Sequence, residues 1–495
     1  MRRAFVAAAA LAAIAFALWQ LENATTGLVV ERERLGSIPV TTYRSAHGPP
    51  APVVVIAHGF AGSQQLMQPF AVTLARNGYV AVTFDFPGHG RNAIPMPGGL
   101  ADHGARTAAL LDALGAVVAA ARVRSYTDGR VALLGHSMAS DLVVRYARTH
   151  ADVEATVAVS LFPSEPIGPD RPRNLLVIVG EFEPAALRDA GVRAAGAATG
   201  RFEDGTARRF ALAAGVEHIG VLYGRDSMRE TLAWMNAAFG LDQAGFLDTR
   251  GGTLGILYLG LVALAWPLAR LLPRVARAPV GSGLGWRRLL PVAILPALLT
   301  PLLLWPLPTR FLPILLGDYL AVHFAAYGLL TALGIRLASR GERNAFRPDQ
   351  WGVLAVAALS VAGYGILALG MPADRYALGF VPGGGRLPLV FALFAGTLPY
   401  FAADEWLTRG PRAPRGAYAL TKVLFLASLA LAIALDLQRL FFLIIIVPAI
   451  LAFFVVFGLF SRWTYQRTGH PLVAAAGNAA VFAWAIAVAF PVVAR

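Results

Sequence analysis

A serine framed by small residues, in Gly135-His136-Ser137-Met138-Ala139, stands between the apolar run Val131–Leu134 and a helical stretch. On so tight a strand-to-helix turn the hydroxyl is exposed and a helix N-terminus lies beneath it, which suits a nucleophile. Its neighbours must be small because the turn brings flanking backbone close. Ala139 occupies the last position, where glycine is usual, and alanine is small enough to fit. Two more glycine-rich turns come earlier in the chain. His58-Gly59-Phe60-Ala61-Gly62 follows Val53–Ala57, and Asp85-Phe86-Pro87-Gly88-His89-Gly90 closes the run that begins at Val80.

Such turns need rigid elements to hold them. Residues 28–240 alternate short apolar runs with helical stretches, the pattern of a mainly parallel sheet flanked by helices. Strands are predicted at Val53–Ala57, Val80–Asp85, Val131–Leu134, Thr156–Ser160, Leu175–Val179 and Arg208–Ala213. Helices are predicted near 64–77, 100–121, 138–149, 185–197 and 225–239. The link from Ser160 to Leu175 is short and rich in Pro and Gly, so it has no room for a large lid domain.

An H-G-x-x-G turn, a D-x-x-G-H-G turn and a G-H-S-M-x elbow, in this order, closely resemble the α/β-hydrolase superfamily over about residues 28–240. The resemblance implies the α/β-hydrolase fold, and within it a compact, lidless esterase, lipase or dienelactone-hydrolase-like member. The last group often uses cysteine as nucleophile; this chain has Ser137. It further implies that the backbone N–H groups of Phe60 and Met138 form an oxyanion hole. The base is expected last in the chain, and His218 in Gly215-Val216-Glu217-His218 matches that position. The acid follows the preceding strand in a G-x-x-D pattern, which here reads Gly180-Glu181-Phe182-Glu183. Glu183 stands at the acid position, with glutamate in place of aspartate, and Glu181 competes with it. His58, His89, His136 and Asp85 read as structural residues of their turns, and Asp102 and His103 as polar residues at a helix start. No P-loop, H-E-x-x-H or dinucleotide motif occurs in a fitting context, so neither a cofactor nor a metal is expected.

Of the 495 residues 57% are hydrophobic and 15% charged, with no cysteine, which excludes disulfides and thiol catalysis. A mean hydropathy of +0.58 points to a membrane protein. The net charge of +14 is unevenly spread: residues 20–250 carry 21 Arg against 22 acids, and residues 251–495 hold a net +13. That excess lies between hydrophobic spans, where it reads as topology and not as a nucleic-acid footprint.

Apolar stretches at 253–272, 289–307, 311–337, 351–371, 387–407, 417–437, 439–460 and 471–493 each match a bilayer-crossing helix. Arg2 and Arg3 precede a ninth, Ala4–Trp19, read as an uncleaved signal-anchor. Three domains are expected: an N-terminal anchor over 1–22, the hydrolase over 23–245 and a membrane domain over 246–495. One set of alternate loops holds Arg274, Arg277, Arg287, Arg288, Arg336, Arg340, Arg343, Arg347, Arg409, Arg412, Arg415, Arg462 and Arg467. The other holds Arg310, Arg375, Arg386 and Arg439, which places the hydrolase outside the cytoplasm of a plasma or inner membrane. Within the spans, Tyr319, His323 and Tyr327 share one helix face, with Asp318 turned away from His323.

The expected activity is cleavage of carboxylic esters or thioesters of small-molecule or lipid substrates, with membrane lipids as surroundings. Two alternatives stay open: an acyltransferase using the same acyl-serine, and a transporter or scaffold whose hydrolase-like domain senses a ligand.

Overall fold

A computed structural model describes residues 1–494 except 99–101, 169–170, 197–199, 243–244, 340–349 and 384. Arg340, Arg343 and Arg347, the start of the helix expected at 100–121 and the end of that expected at 185–197 lie outside the described residues. The chain divides into two compact units. One comprises Ile14–Leu257 with Pro372–Gly384 and Pro491–Arg495; the other comprises Met1–Ala13, Tyr258–Met371 and Gly385–Phe490.

The first unit begins within helix α1 (Arg2–Asn23) and is built on eight strands. They are β1 (Leu28–Leu35), β2 (Ile38–Ser45), β3 (Ala51–Ala57), β4 (Val80–Phe84), β5 (Thr127–His136), β6 (Val153–Val159), β7 (Leu175–Gly180) and β8 (Arg208–Ala213). Their spatial order is β1-β2-β4-β3-β5-β6-β7-β8. The β1–β2 and β2–β4 pairs are antiparallel, and the strands from β4 to β8 run parallel. The interleaved helices are α2 (Gln68–Arg76), α3 (His103–Arg122), α4 (Met138–Thr149), α5 (Ala185–Ala195) and α6 (Arg225–Phe239).

Val53–Ala57 of β3 and Val131–Leu134 of β5 are continuously apolar because both faces of the sheet are covered there. Val53 and Val55 of β3 pack with Leu110, Leu114 and Val117 of α3 and Val143 of α4. Val54 and Ile56 pack on the opposite side with Phe70 and Leu74 of α2 and Met228 and Met235 of α6. All six predicted strands are present. The hairpin β1–β2 was not resolved by the sequence pattern, since β1 reads Leu-Val-Val-Glu-Arg-Glu-Arg-Leu. An exposed edge strand carries such charges, which guard it against pairing with another chain.

The other unit is helical: α7 (Gly251–Leu268), which begins in the first unit, α8 (Trp286–Leu304), α9 (Gly317–Ala338), α10 (Trp351–Gly363), α11 (Gly370–Tyr376), which passes into the first unit at Pro372, α12 (Arg386–Thr408), α13 (Ala417–Leu435), α14 (Leu437–Leu440), α15 (Leu443–Thr468) and α16 (Pro471–Ala489). A π turn at Tyr364–Leu369 joins α10 to α11 in one apolar helix, Trp351–Tyr376.

Ten described helices are long and apolar enough to cross a membrane, by length and composition. One of these is α3, whose buried face covers the hydrolase sheet. The others are α1 and the eight from α7 onward that the apolar stretches anticipate. The third stretch starts as a turn and not as helix, because Asp318 accepts from the Phe311 N–H at 3.0 Å and delays α9 to Gly317.

Small residues let these helices approach closely. A Cβ at Gly328 of α9 would meet the Pro399 carbonyl carbon of α12 at 2.3 Å, and one at Gly396 would meet the Ala321 carbonyl oxygen at 2.7 Å. Lys422, the chain's only lysine, pairs with Asp404, and Glu405 accepts from Ser461 at 2.6 Å and Arg409 at 3.1 Å. His323 reaches Tyr319 Oη at 3.3 Å and Ser428 Oγ at 3.1 Å. Lys422, Asp404 and Glu405 are therefore paired, as a low-dielectric setting requires.

Candidate active site

Every residue of the expected site stands at the carboxyl edge of the parallel strands, where α/β sheets open their crevice. Ser137 follows β5 and precedes α4, with φ 54° and ψ −119°. That backbone is costly for a residue with a side chain, and the surrounding structure must impose it. The Ser137 N–H donates to the Val159 carbonyl at 2.9 Å, which fixes the turn against β6. Gly135 is obligatory: a Cβ there would lie 2.3 Å from the Ala139 carbonyl oxygen, and backbone cannot step aside. The Ala139 methyl is fully buried among Val53, Leu133 and Val143, so the departure from glycine is accommodated by the core.

His218 lies in the segment after β8. Its Nε2 is 3.0 Å from Ser137 Oγ, and its Nδ1 is 2.7 Å from Glu183 Oε2. The other oxygen, Glu183 Oε1, accepts from the Gly180 N–H at 2.8 Å and the Ser160 hydroxyl at 2.7 Å. Burial by itself raises the Glu183 carboxyl; hydrogen bonds from His218, Gly180 and Ser160 outweigh it and hold the group below the usual glutamate value. The His218 side chain keeps 24% of its exposure while that of Glu183 keeps 0%, so the imidazole bridges a solvent-accessible hydroxyl and a sequestered anion.

Glu181, the competing acid, points elsewhere. It is exposed, and its Oε2 accepts from the Gly215 N–H at 2.7 Å. Ser160 went unnoticed in the sequence, although a serine directly after a buried strand was a usable signal. It sits at φ 56° and turns its hydroxyl onto Glu183.

The three turn histidines are structural in their contacts. His136 Nε2 bonds the His218 carbonyl at 3.0 Å, and burial followed by repulsion from His218 pushes its pKa down to about 3. It is thus a neutral donor steadying the backbone of His218. The His58 imidazole accepts the Phe86 N–H at Nε2 (3.2 Å), so its Nδ1 donates to the Gly59 carbonyl at 2.8 Å. His89 Nδ1 bonds the Pro87 carbonyl at 2.9 Å. Asp85 ties two turns together, accepting from the Gln64 N–H at 2.8 Å and the Arg91 N–H at 3.0 Å. Asp102 caps α3 through the Ala105 N–H at 2.9 Å.

Phe60 and Met138 flank the serine from two sides. Met138 is the first residue of α4, and the Phe60 turn presses on the elbow so closely that a Cβ at Gly59 would stand 3.0 Å from Ser137 Cβ. Phe162, Phe182 and Ile219, each beside a strand end that carries the site, expose 67%, 68% and 40% of their surface. Among the described residues, no group of three or more His, Asp or Glu is arranged to hold a metal ion.

An eight-stranded, mainly parallel sheet with a serine elbow after β5 defines an α/β-hydrolase domain of the serine-hydrolase type, here continuous with a long series of apolar helices. Residues 48–185 match the family model described as serine aminopeptidase, S33. A solved structure titled "Putative Dienelactone Hydrolase" from Klebsiella pneumoniae subsp. pneumoniae is 15% identical, with 43% of this chain and 98% of that chain covered and a TM-score of 0.32. A "predicted CIB-like hydrolase" from Thermoplasma acidophilum is 17% identical, again over 43% and 98%, with a TM-score of 0.33. No curated protein matches.

Proposed function

We propose that the chain is a multi-pass membrane serine hydrolase cleaving carboxylic esters or thioesters of hydrophobic acids, with its hydrolase unit on the extracytoplasmic side. The line of hydrogen bonds from Ser137 through His218 to Glu183 carries this reading. Ser137 Oγ attacks the acyl carbon while its proton passes to His218 Nε2. Glu183 keeps the Nδ1 proton in place and stabilises the imidazolium. The Phe60 and Met138 amides receive the developing oxyanion, a contribution typically of about 100- to 1,000-fold per donor. His218 then protonates the departing alcohol or thiol, and a water it activates releases the acid from the acyl-serine.

Exposed Phe162, Phe182 and Ile219, on the segments that carry Ser160, Glu183 and His218, favour an apolar acyl group. The nine apolar helices apart from α3, and the arginine-rich alternate loops, support the membrane location and its sidedness. A fluorophosphonate probe tests the chemistry. Purified full-length protein should be labelled and Ser137→Ala should not; equal behaviour of the two defeats the proposal. Eight spans beyond the N-terminal one exceed what an anchor needs, which favours acyl transfer as a second reading. Products formed with and without candidate acceptors separate the two, since free acid alone in every case excludes transfer.

A further inference from the structure

Pro372–Gly384, the end of α11 and the link that follows it, belongs to the hydrolase unit, although the stretches before and after it in sequence belong to the other unit. Its contacts form a closed ring with the Phe60 turn. Asp374, 9% exposed, accepts on Oδ1 from the Phe380 N–H at 2.8 Å and the Val381 N–H at 2.9 Å. Its Oδ2 pairs with the Arg91 guanidinium. The Arg91 N–H in turn donates to Asp85 Oδ2 at 3.0 Å, and Asp85 Oδ1 accepts from the Gln64 N–H at 2.8 Å. Ser63, beside Gln64 and next to Gly62, accepts the Gly379 N–H on its hydroxyl at 2.8 Å. The ring then closes through Gly379 to Phe380.

Around this ring the fit is tight. A Cβ at Gly379 would stand 3.3 Å from Ser63, and one at Gly383 would stand 3.2 Å from the Arg91 Cα. Gln68 adds a bond from Nε2 to the Arg375 carbonyl at 2.9 Å, and itself accepts from buried Arg250 at 2.6 Å. The Asp85 side of the ring is gripped again at Gly88, whose carbonyl accepts the Val492 N–H at 2.9 Å.

We infer that Asp374 and Gly379 are positioning residues for the Phe60 amide, and that this interhelical segment sets the efficiency of the active site. The inference rests on the hydrolase reading above. An oxyanion donor works only when held at hydrogen-bond distance from a developing charge, and a displacement near 1 Å is enough to cost rate. The Phe60 turn is five residues with three glycine or alanine positions, so it has few side chains of its own to anchor it. Ser63 and Asp85, with the His58–Phe86 bond, are points at which it is fastened, and the segment reaches the first two.

The test uses the full chain and an ester it turns over. Activity is counted per active site by burst titration, so that misfolded protein does not enter the rate. Ser63→Ala removes the acceptor of the Gly379 N–H, and Asp374→Asn discharges the pair with Arg91. Each should lower kcat per titrated site by about tenfold, with KM held within about twofold, and slow fluorophosphonate labelling in parallel. Asp374→Asn combined with Arg91→Gln should be no slower than the slower single variant, because one ring is broken once. Wild-type kcat per site in both Ser63→Ala and Asp374→Asn overturns the inference, whatever happens to their thermal midpoints. A wild-type chain that cleaves no ester and takes no probe defeats the hydrolase reading instead.

Discussion

The acid of the candidate triad is glutamate where aspartate is usual, and the surroundings of Glu183 show how the longer side chain is seated. Its Oε1 is fixed by two donors, the Ser160 hydroxyl and the Gly180 N–H, leaving Oε2 for His218. Glu183→Gln would keep its carbonyl oxygen on those donors and turn its NH2 toward His218 Nδ1. The imidazole would then have to accept there, moving its proton to Nε2 and disabling it as a base toward Ser137. Under the proposed mechanism kcat should drop by about 1,000- to 10,000-fold, while Glu181→Gln, which loses only an exposed bond to Gly215, should stay within about twofold; steady-state kinetics on both variants decide the matter. A pH effect on stability follows from the same carboxylate. Because its folded pKa is depressed, its contribution is complete above the unfolded glutamate value of about 4.3 and fades as pH falls through the lower folded value. The gap in thermal midpoint between wild type and Glu183→Gln should therefore be wide at pH 6 and narrow steadily below pH 4; a gap independent of pH contradicts it.

Elements convert these contacts into a fixed geometry, and the elbow between β5 and α4 is the clearest instance. A methyl at position 135 meets the Ala139 carbonyl oxygen at 2.3 Å, so Gly135→Ala must spread the turn. A loss of about 1–3 kcal/mol is expected, together with weakened probe labelling, as for overpacking elsewhere. Ala139→Gly, which restores the usual glycine, should cost only about 1 kcal/mol through helix propensity and leave labelling intact. Thermal melts and probe labelling of the two variants give the comparison. Much of this was legible in the chain, because the Gly-rich turns follow buried strands and backbone crowding dictates their composition. Six strands and the apolar spans were readable from periodicity, whereas the order expected of the site residues came from the resemblance of three glycine-rich turns to α/β hydrolases. Edge strand β1 was not, since its charges answer to solvent and not to the core. Ser160 and the ring through Asp374 were also hidden. Their partners lie 23 and 283 residues away, and no local pattern encodes so distant a hydrogen bond.

At the scale of the whole molecule, the lack of cysteine becomes an experimental advantage. Arginine is crowded at alternate ends of the apolar helices, with Arg274 and Arg277 between α7 and α8 and Arg287 and Arg288 in the first turn of α8, against Arg310 between α8 and α9. Moving guanidinium groups across a bilayer is costly, so loops rich in them stay on the cytoplasmic side. Under the proposed sidedness the hydrolase unit, which precedes α7, is expected on the side opposite to the loop carrying Arg277. A single cysteine can report either side without background labelling. Asp204 keeps 64% of its side-chain exposure in the hydrolase unit, and Arg277 is exposed in its loop. With a membrane-impermeant maleimide on intact cells, Asp204→Cys should be labelled at once. Arg277→Cys should be labelled only after permeabilisation. The opposite pattern would put the serine in the cytoplasm and remove extracytoplasmic esters from the candidate substrates. Labelling of both in intact cells would mean that the apolar helices do not separate the two positions, and would overturn the proposed sidedness.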